Sequence, residues 1–434
     1  MLDSTVRRSD LLQEEVVCSR LGSGLEVCVF PKPGFARKYA ILATRYGSID
    51  TEFKVDGREV ATPAGIAHFL EHKLFEEEEG SIDDVFAEQG AYSNAFTNYT
   101  TTGYLFSCVD GFEENLRTLV GFVMQPHFTP ENVEKEKGII EQEIRMNDDA
   151  PDWQVVSELL KAMYHVHPVK HDIAGTVESV RSIDAETLLK CYGTFYHPSN
   201  MTLFVVGDVR PAQVLEIVDS QMSPFARRSA PLVERIRPSE PADVARSQTV
   251  KHMMVSEPLV CMGFKDQDVG FSGHRLARKV VATEILLHSF IGRSTDLYNS
   301  LYNEGIIDNS FGWDYSFDRE YAMVTFDGRT AHPEAMVDRI NRGIEEFAAA
   351  GVDGGTFERT RRMLLGTWLR EFNSLEAIAY QHLDYHFLDM SLFDRMEIAS
   401  YITQEEVMAL AKNLFKDDSR VVSMVLPGRE ADRP

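Results

Sequence analysis

Two stretches of the chain match each other across an offset of 219 residues, and this constrains the fold more than any other feature. "SIDAETLLKCYGTFYHPSNMTLFVVGD" begins at Ser182 and "YITQEEVMALAKNLFKDDSRVVSMVLPG" at Tyr401. Ile183 falls on Ile402, Glu186 on Glu405, Leu188 on Val407, Phe195 on Leu414 and Val206 on Val425. In each copy a capped helix leads through a polar turn into an apolar strand. At 434 residues the chain exceeds what one hydrophobic core organises, so two related domains are expected. The stretch "SPFARRSAPLVERIRPSEPADVARS" divides it almost evenly; four prolines, many charges and no periodicity give it the character of a linker. The expected organisation is therefore 1–222, a linker over 223–247, and 248–434.

Both halves mix β-rich runs with long helical patterns. "LEVCVFPK", "YAILATRYGSI" and "GYLFSCV" lie in the first half, and "LVCMGFK", "FGWDYSF" and "YAMVTFDG" in the second. Strand runs beside helix runs predict two α+β domains rather than a doubly wound sheet.

The chemistry-bearing stretch is "TPAGIAHFLEHKLFEEEEG", beginning at Thr62. Thr62 reads as an N-cap and Pro63 as a first-turn residue, with Ile66, Phe69, Leu70 and Leu74 on an apolar face. His68 and His72 are four apart, one helical turn, so both imidazoles can address one ion. Glu71 sits between them in the HxxEH order, where a carboxylate can reach water beside a metal without binding the metal itself. A catalytic zinc site needs a third protein ligand. "TPENVEKEKGIIEQEIRMNDD" supplies candidates: a helix starting at Thr129–Pro130 puts Glu136 and Glu143, two turns apart, on one side and Glu141 elsewhere. One of the pair completes the site and the other orients a ligand from behind; spacing leaves open which.

Composition narrows the rest. A net charge of −24 argues against nucleic acid as a partner and permits attraction of basic peptides. "EEEE" at 76–79 reads as a solvated face. No apolar run approaches the ~20 residues of a membrane span, and the N-terminal stretch lacks a signal-peptide core. Five scattered cysteines (Cys18, Cys28, Cys108, Cys191, Cys261) without CxxC spacing predict reduced core thiols and a cytoplasmic setting. His165, His167 and His171 in "YHVHPVKHDIAG", and His382 and His386 in "YQHLDYHF", read as loop, packing or surface residues.

Taken together, the HxxEH motif and the following EKxxIxxE-type helix resemble the pitrilysin/insulinase-type zinc peptidases, the inverzincin family that includes mitochondrial processing peptidase. "YGSIDTE", "GAYSNAFTNYTTTGY" and "FYHPSNMTLFVVGD" agree with it in order, so the resemblance spans nearly the whole chain. "HFLEHKLFE", "VEKEKGII", "DIAGTVES" and "LYNEGIID" are most similar to its bacterial YmfH-like subgroup. The resemblance implies two homologous α+β domains, each a mainly antiparallel sheet with helices packed on one face, forming a half-clam. It implies Zn²⁺ held by His68, His72 and Glu143, Glu71 as general base, Glu136 in support, and Asn94, Ala95 and Phe96 on an edge strand that pairs with a peptide substrate.

One departure matters. Active members carry an arginine and a tyrosine in the second half, where this chain has "SLYNEGIIDNSF"; Tyr302 stands at the arginine position and Asp308 at the tyrosine position. Nor does a second HxxEH occur at the duplicated position, which falls in "LLHSF". The resemblance therefore implies a zinc endopeptidase subunit partnered by a zinc-less paralogue supplying the Arg/Tyr pair, or a homodimer. The competing expectation is a non-catalytic scaffold subunit.

Overall fold

The computed structural model describes residues 3–76, 81–226 and 229–428. Two compact units emerge. One takes the chain up to Ile144, His171–Arg237 and Glu371–Asp384; the second takes Arg145–Lys170, Pro238–Arg370 and the chain from Tyr385.

The first unit holds β1 (Asp3–Ser9), β2 (Glu14–Arg20), β3 (Glu26–Pro31), β4 (Lys38–Thr44), β5 (Glu52–Val55), β6 (Arg58–Ala61), β7 (Ala91–Thr97), β8 (Thr102–Cys108), β9 (Met201–Gly207) and β10 (Val233–Arg235). Seven of these form a sheet in the order β1-β2-β3-β9-β4-β8-β7, antiparallel except for β3–β9. Central strands buried on both faces need apolar residues throughout, and β9, "MTLFVVG", is buried at every position. Ala40, Leu42, Tyr104, Phe106, Leu203 and Val205 turn to one face. They pack there with α1 (Ile66–Leu74), α2 (Ile82–Glu88), α3 (Phe112–Met124), α4 (Pro130–Asp148) and helix Ala185–Phe195. Strand alternation sends Phe30, Tyr39 and Phe204 to the opposite face. That face is covered by Phe372, Tyr380 and His382, with ring centroids 6.2, 6.4 and 4.4 Å from those three.

The second unit holds α5 (Pro151–Met163) and a five-stranded sheet of β11 (Gln248–Met253), β12 (Leu259–Asp266), β13 (Gly312–Phe317), β14 (Ala322–Arg329) and β15 (Arg420–Pro427). Its order is β11-β15-β12-β14-β13, antiparallel except for β11–β15. Phe264, Phe290, Phe326 and Phe415 cluster on one face. On the other, α5 lies so close that a Cβ added at Gly263 would stand 2.7 Å from the Met163 methyl.

Shifted by 219 residues, β3, β9, β4, β8 and β7 fall on β11, β15, β12, β14 and β13. The order, the directions and the one parallel pair all agree, so the halves are homologous α+β domains. The exchange of helices is reciprocal too. Shifted likewise, α5 overlaps helix Leu375–Phe387, and each unit takes this helix from the opposite half of the sequence.

Several local expectations need correction. The 223–247 segment is not simply a linker: β10 pairs with β5, and Arg235 and Arg237 bind the buried Asp50 carboxylate at 2.9 and 2.5 Å. Three residues of charged strand leave no periodicity to read. Cys18 and Cys28 face each other in the β2–β3 register and form a disulfide, while Cys108, Cys191 and Cys261 are buried free thiols. The all-reduced reading fails there because strand pairing, not sequence spacing, joins the two. Glu76 is no solvated residue, since it pairs with the fully buried Lys73 and with Lys135; the remaining glutamates of that run lie outside the described residues. Among the described residues, no helix is long and apolar enough to cross a membrane.

Candidate metal centre

The short helix α1 begins later than Thr62 suggests. Thr62 instead bonds the Thr51 carbonyl through both its N–H and its hydroxyl, and Gly65 is the N-cap at φ 88°. A Cβ on Gly65 would lie 2.3 Å from the Ala174 carbonyl oxygen, so glycine alone permits this seating against the 171–176 loop. Ile66, Phe69, Leu70 and Leu74 are buried in the core as expected. Helix α4 starts as its sequence suggests: Thr129 and Asn132 cap it reciprocally, at 2.9 and 3.2 Å, and Val133, Ile140 and Ile144 are buried.

These two helices bring His68, His72 and Glu143 together, with donor atoms all within 4.8 Å of one another. His68 Nε2 lies 3.5 Å from Glu143 Oε1, and His72 Nε2 lies 3.5 Å from Glu143 Oε2. Two imidazole nitrogens and one carboxylate gathered this closely are donors of the kind and number that a zinc ion takes from a protein. Glu136, only 4% exposed, takes the far nitrogen of His72, with Nδ1···Oε1 2.9 Å. Glu143 faces both Nε2 atoms, whereas Glu136 stands behind one ring. Glu141 points elsewhere and binds Arg181 at 2.6 and 2.9 Å.

Glu71 occupies the same turn of α1. Its Oε2 accepts a 2.6 Å hydrogen bond from the Thr97 hydroxyl at the end of β7, a contact the linear motif gives no hint of. Burial raises the Glu71 pKa more than the Thr97 hydrogen bond and His72 lower it. Burial, with His72 alongside, brings His68 down to about 3, so this imidazole is neutral and able to ligate. For His72 burial also lowers, but the Glu136 hydrogen bond and the charges of Glu71, Glu136 and Glu143 outweigh it and the net shift is upward. Glu143 is raised by burial, with Asp172 and Glu136 adding and His72 opposing.

Asn94, Ala95 and Phe96 lie on β7, which is an edge of the seven-stranded sheet. The Ala95 N–H is met by Asn94 Oδ1 at 2.9 Å. Phe96 stacks obliquely on Tyr380 at 5.1 Å.

In the second unit the 219-residue shift carries the three donors to Leu287, Ile291 and Arg362, none a zinc ligand. Tyr302 is exposed and stacks on Tyr298, and Asp308 caps the Ser310 N–H at 2.7 Å. The His165–His167 stretch gathers no metal-binding cluster among the described residues; its three backbone N–H groups donate instead to Glu240. His382 packs on Phe204, with a ring nitrogen within 4.8 Å of the Cys18–Cys28 sulfurs.

Comparison with known proteins places this pair of homologous α+β domains, one bearing a His–His–Glu cluster on an HxxEH helix, in a family of peptidases. Residues 58–177 match the family model described as insulinase (peptidase family M16), and residues 182–364 match the M16 inactive domain. The chain belongs to peptidase family M16. It is 40% identical to the uncharacterized zinc protease YmfH of Bacillus subtilis over 96% of this chain and 97% of that one. A second B. subtilis zinc protease, YmxG, is 22% identical over 82% of this chain and 86% of its own. A crystal structure of an M16-like peptidase from Alicyclobacillus acidocaldarius superimposes with a TM-score of 0.92 at 37% identity, covering 99% of both chains.

Proposed function

We propose that this chain is a zinc-dependent endopeptidase subunit acting on short or extended peptides in a closed chamber, as the metal-bearing partner of a heterodimer. The observation that carries the reading is the pair of 3.5 Å separations from Glu143 to the two imidazoles, with Glu71 fixed on the same helix. His68, His72 and Glu143 hold the ion, and Glu136 orients His72 from behind. Bound zinc supplies Lewis acidity toward a scissile carbonyl and toward water. Glu71 takes the proton from the attacking water and delivers it to the leaving amine; a carboxylate raised by burial suits both tasks. Asn94, Ala95 and Phe96 seat an extended peptide by adding a strand to the open edge of β7, which gives affinity with little demand on side chains.

The second unit, with Leu287, Ile291 and Arg362 at the shifted donor positions and Tyr302 and Asp308 where an Arg/Tyr pair is expected, supports a related paralogue as the source of that pair. A phenol donates a hydrogen bond but brings no positive charge to a developing oxyanion. The same departure favours the second reading, a zinc-binding scaffold without turnover. Cleavage of a mixed pool of unstructured peptides, with and without such a paralogue, tests the two. Zinc-dependent cleavage supports the peptidase; stoichiometric zinc with no cleavage under either condition supports the scaffold.

A further inference from the structure

Glu71 can act as a base only if its carboxylate is held in one place, and α1 does not do this alone. The helix is nine residues long, and the Glu71 carboxylate accepts its side-chain hydrogen bond from a residue outside it, Thr97. An ionised carboxylate can only accept, so Thr97 is the donor. Thr97 is the last residue of β7 and faces Thr102 across the hairpin, with their hydroxyl oxygens 3.4 Å apart. The Thr102 hydroxyl is buried and gives its proton to the Tyr46 carbonyl at 2.9 Å.

The turn beyond is clamped. Asn98 Oδ1 accepts the N–H groups of Thr100 and Thr101 at 2.9 and 2.7 Å, and Ser48 and Ile49 donate to the Asn98 and Tyr99 carbonyls at 3.0 Å. A Cβ on Gly47 would fall 2.3 Å from the Thr100 nitrogen, so this packing accepts no larger residue. Thr97 is thus fixed from the sheet side, and through it one oxygen of Glu71 is fixed, leaving Oε1 for water. It is also the next residue after Asn94–Phe96, the stretch assigned to the substrate backbone.

We propose that Thr97 is the positioning residue for Glu71: it ties the general base to the substrate-pairing edge strand, so that the strand that seats the peptide also sets the direction of proton transfer. The inference rests on the reading of Glu71 as the base.

The test compares zinc-loaded, full-length wild type with Thr97→Val, which keeps the shape without the donor, and Thr97→Ser, which keeps the donor. Two quantities are read: steady-state peptide cleavage in the presence of any required partner, and the position of the Glu71 carboxylate in crystal structures of the three proteins. A base displaced by about 1 Å loses on the order of 100-fold in rate. The expected result is a fall of about that size in kcat for Thr97→Val with KM, zinc content and melting temperature unchanged, and Thr97→Ser within about threefold of wild type. Glu71 should swing away from β7 in Thr97→Val only. The proposal is overturned if Thr97→Val keeps its kcat, if its Glu71 carboxylate stays in place, or if Thr97→Ser is as impaired as Thr97→Val. If wild type itself does not turn over, the peptidase reading fails separately, and the crystallographic comparison alone decides whether Thr97 positions Glu71.

Discussion

Glu136→Gln is the most informative single change, because the two glutamates of α4 are assigned different tasks on geometry alone. The Glu136 carboxylate is buried and bonds His72 Nδ1 at 2.9 Å. Glutamine has the same shape and its carbonyl can still accept that N–H, so the fold should be untouched. What is lost is the negative charge that raises the basicity of the ring. Substitutions of this kind behind a metal-bound histidine weaken metal binding by roughly 10–100-fold, about 1.4–2.7 kcal/mol. Glu143→Gln removes a charged donor from the cluster itself and should cost considerably more. Zinc dissociation constants measured by competition with a chromophoric chelator give both numbers on the same footing. Equal affinities for Glu136→Gln and wild type, or a larger loss for Glu136→Gln than for Glu143→Gln, would refute the assignment.

Other changes probe separate parts of the account. Glu71→Gln should retain stoichiometric zinc by metal analysis while cleavage falls by roughly 10²–10⁴-fold; His68→Ala should lose both. Asp50→Asn leaves Arg235 and Arg237 without the anion they share, and an urea melt should show a loss of about 3 kcal/mol, near the lower end for a broken buried pair because Arg235 is part-exposed. Glu240 is drawn down to about 2: burial opposes, but Lys265 and three backbone N–H groups prevail. A folded-state pKa below the unfolded value stabilises at higher pH. This contribution is therefore complete above about 4.5 and lost as pH falls toward 2, and the acid-unfolding midpoint of Glu240→Gln should show less of that dependence.

The duplication was legible because it is written in both periodicities at once, in a capped helix followed by an apolar strand, and the sheets repeat the same order. The shared face of His68 and His72 was legible for a similar reason: four-residue spacing fixes it regardless of context. What sequence could not carry was partnership at a distance. Nothing in α5 or in helix Leu375–Phe387 says that each completes the unit of the opposite half, since an apolar helix face does not name the sheet it covers. The Cys18–Cys28 pair depends on the β2–β3 register, and the difference between Glu136 and Glu143 on which of them meets the two Nε2 atoms across α1 and α4. Thr97 carries no such signal, because a threonine at a strand end is ordinarily just a strand residue. Gly65 shifted the expected helix start because its close approach to Ala174 is made by a loop more than a hundred residues away.

The most direct test of the central claim is peptide cleavage by the chain loaded with one equivalent of zinc, alone and with a paralogue carrying the Arg/Tyr pair, using Glu71→Gln as the matched control. The account expects cleavage by wild type in at least the paired condition, abolished by a strong chelator and restored by zinc, and none by Glu71→Gln. Equal cleavage by wild type and Glu71→Gln, or none by zinc-loaded wild type in either condition, would contradict it.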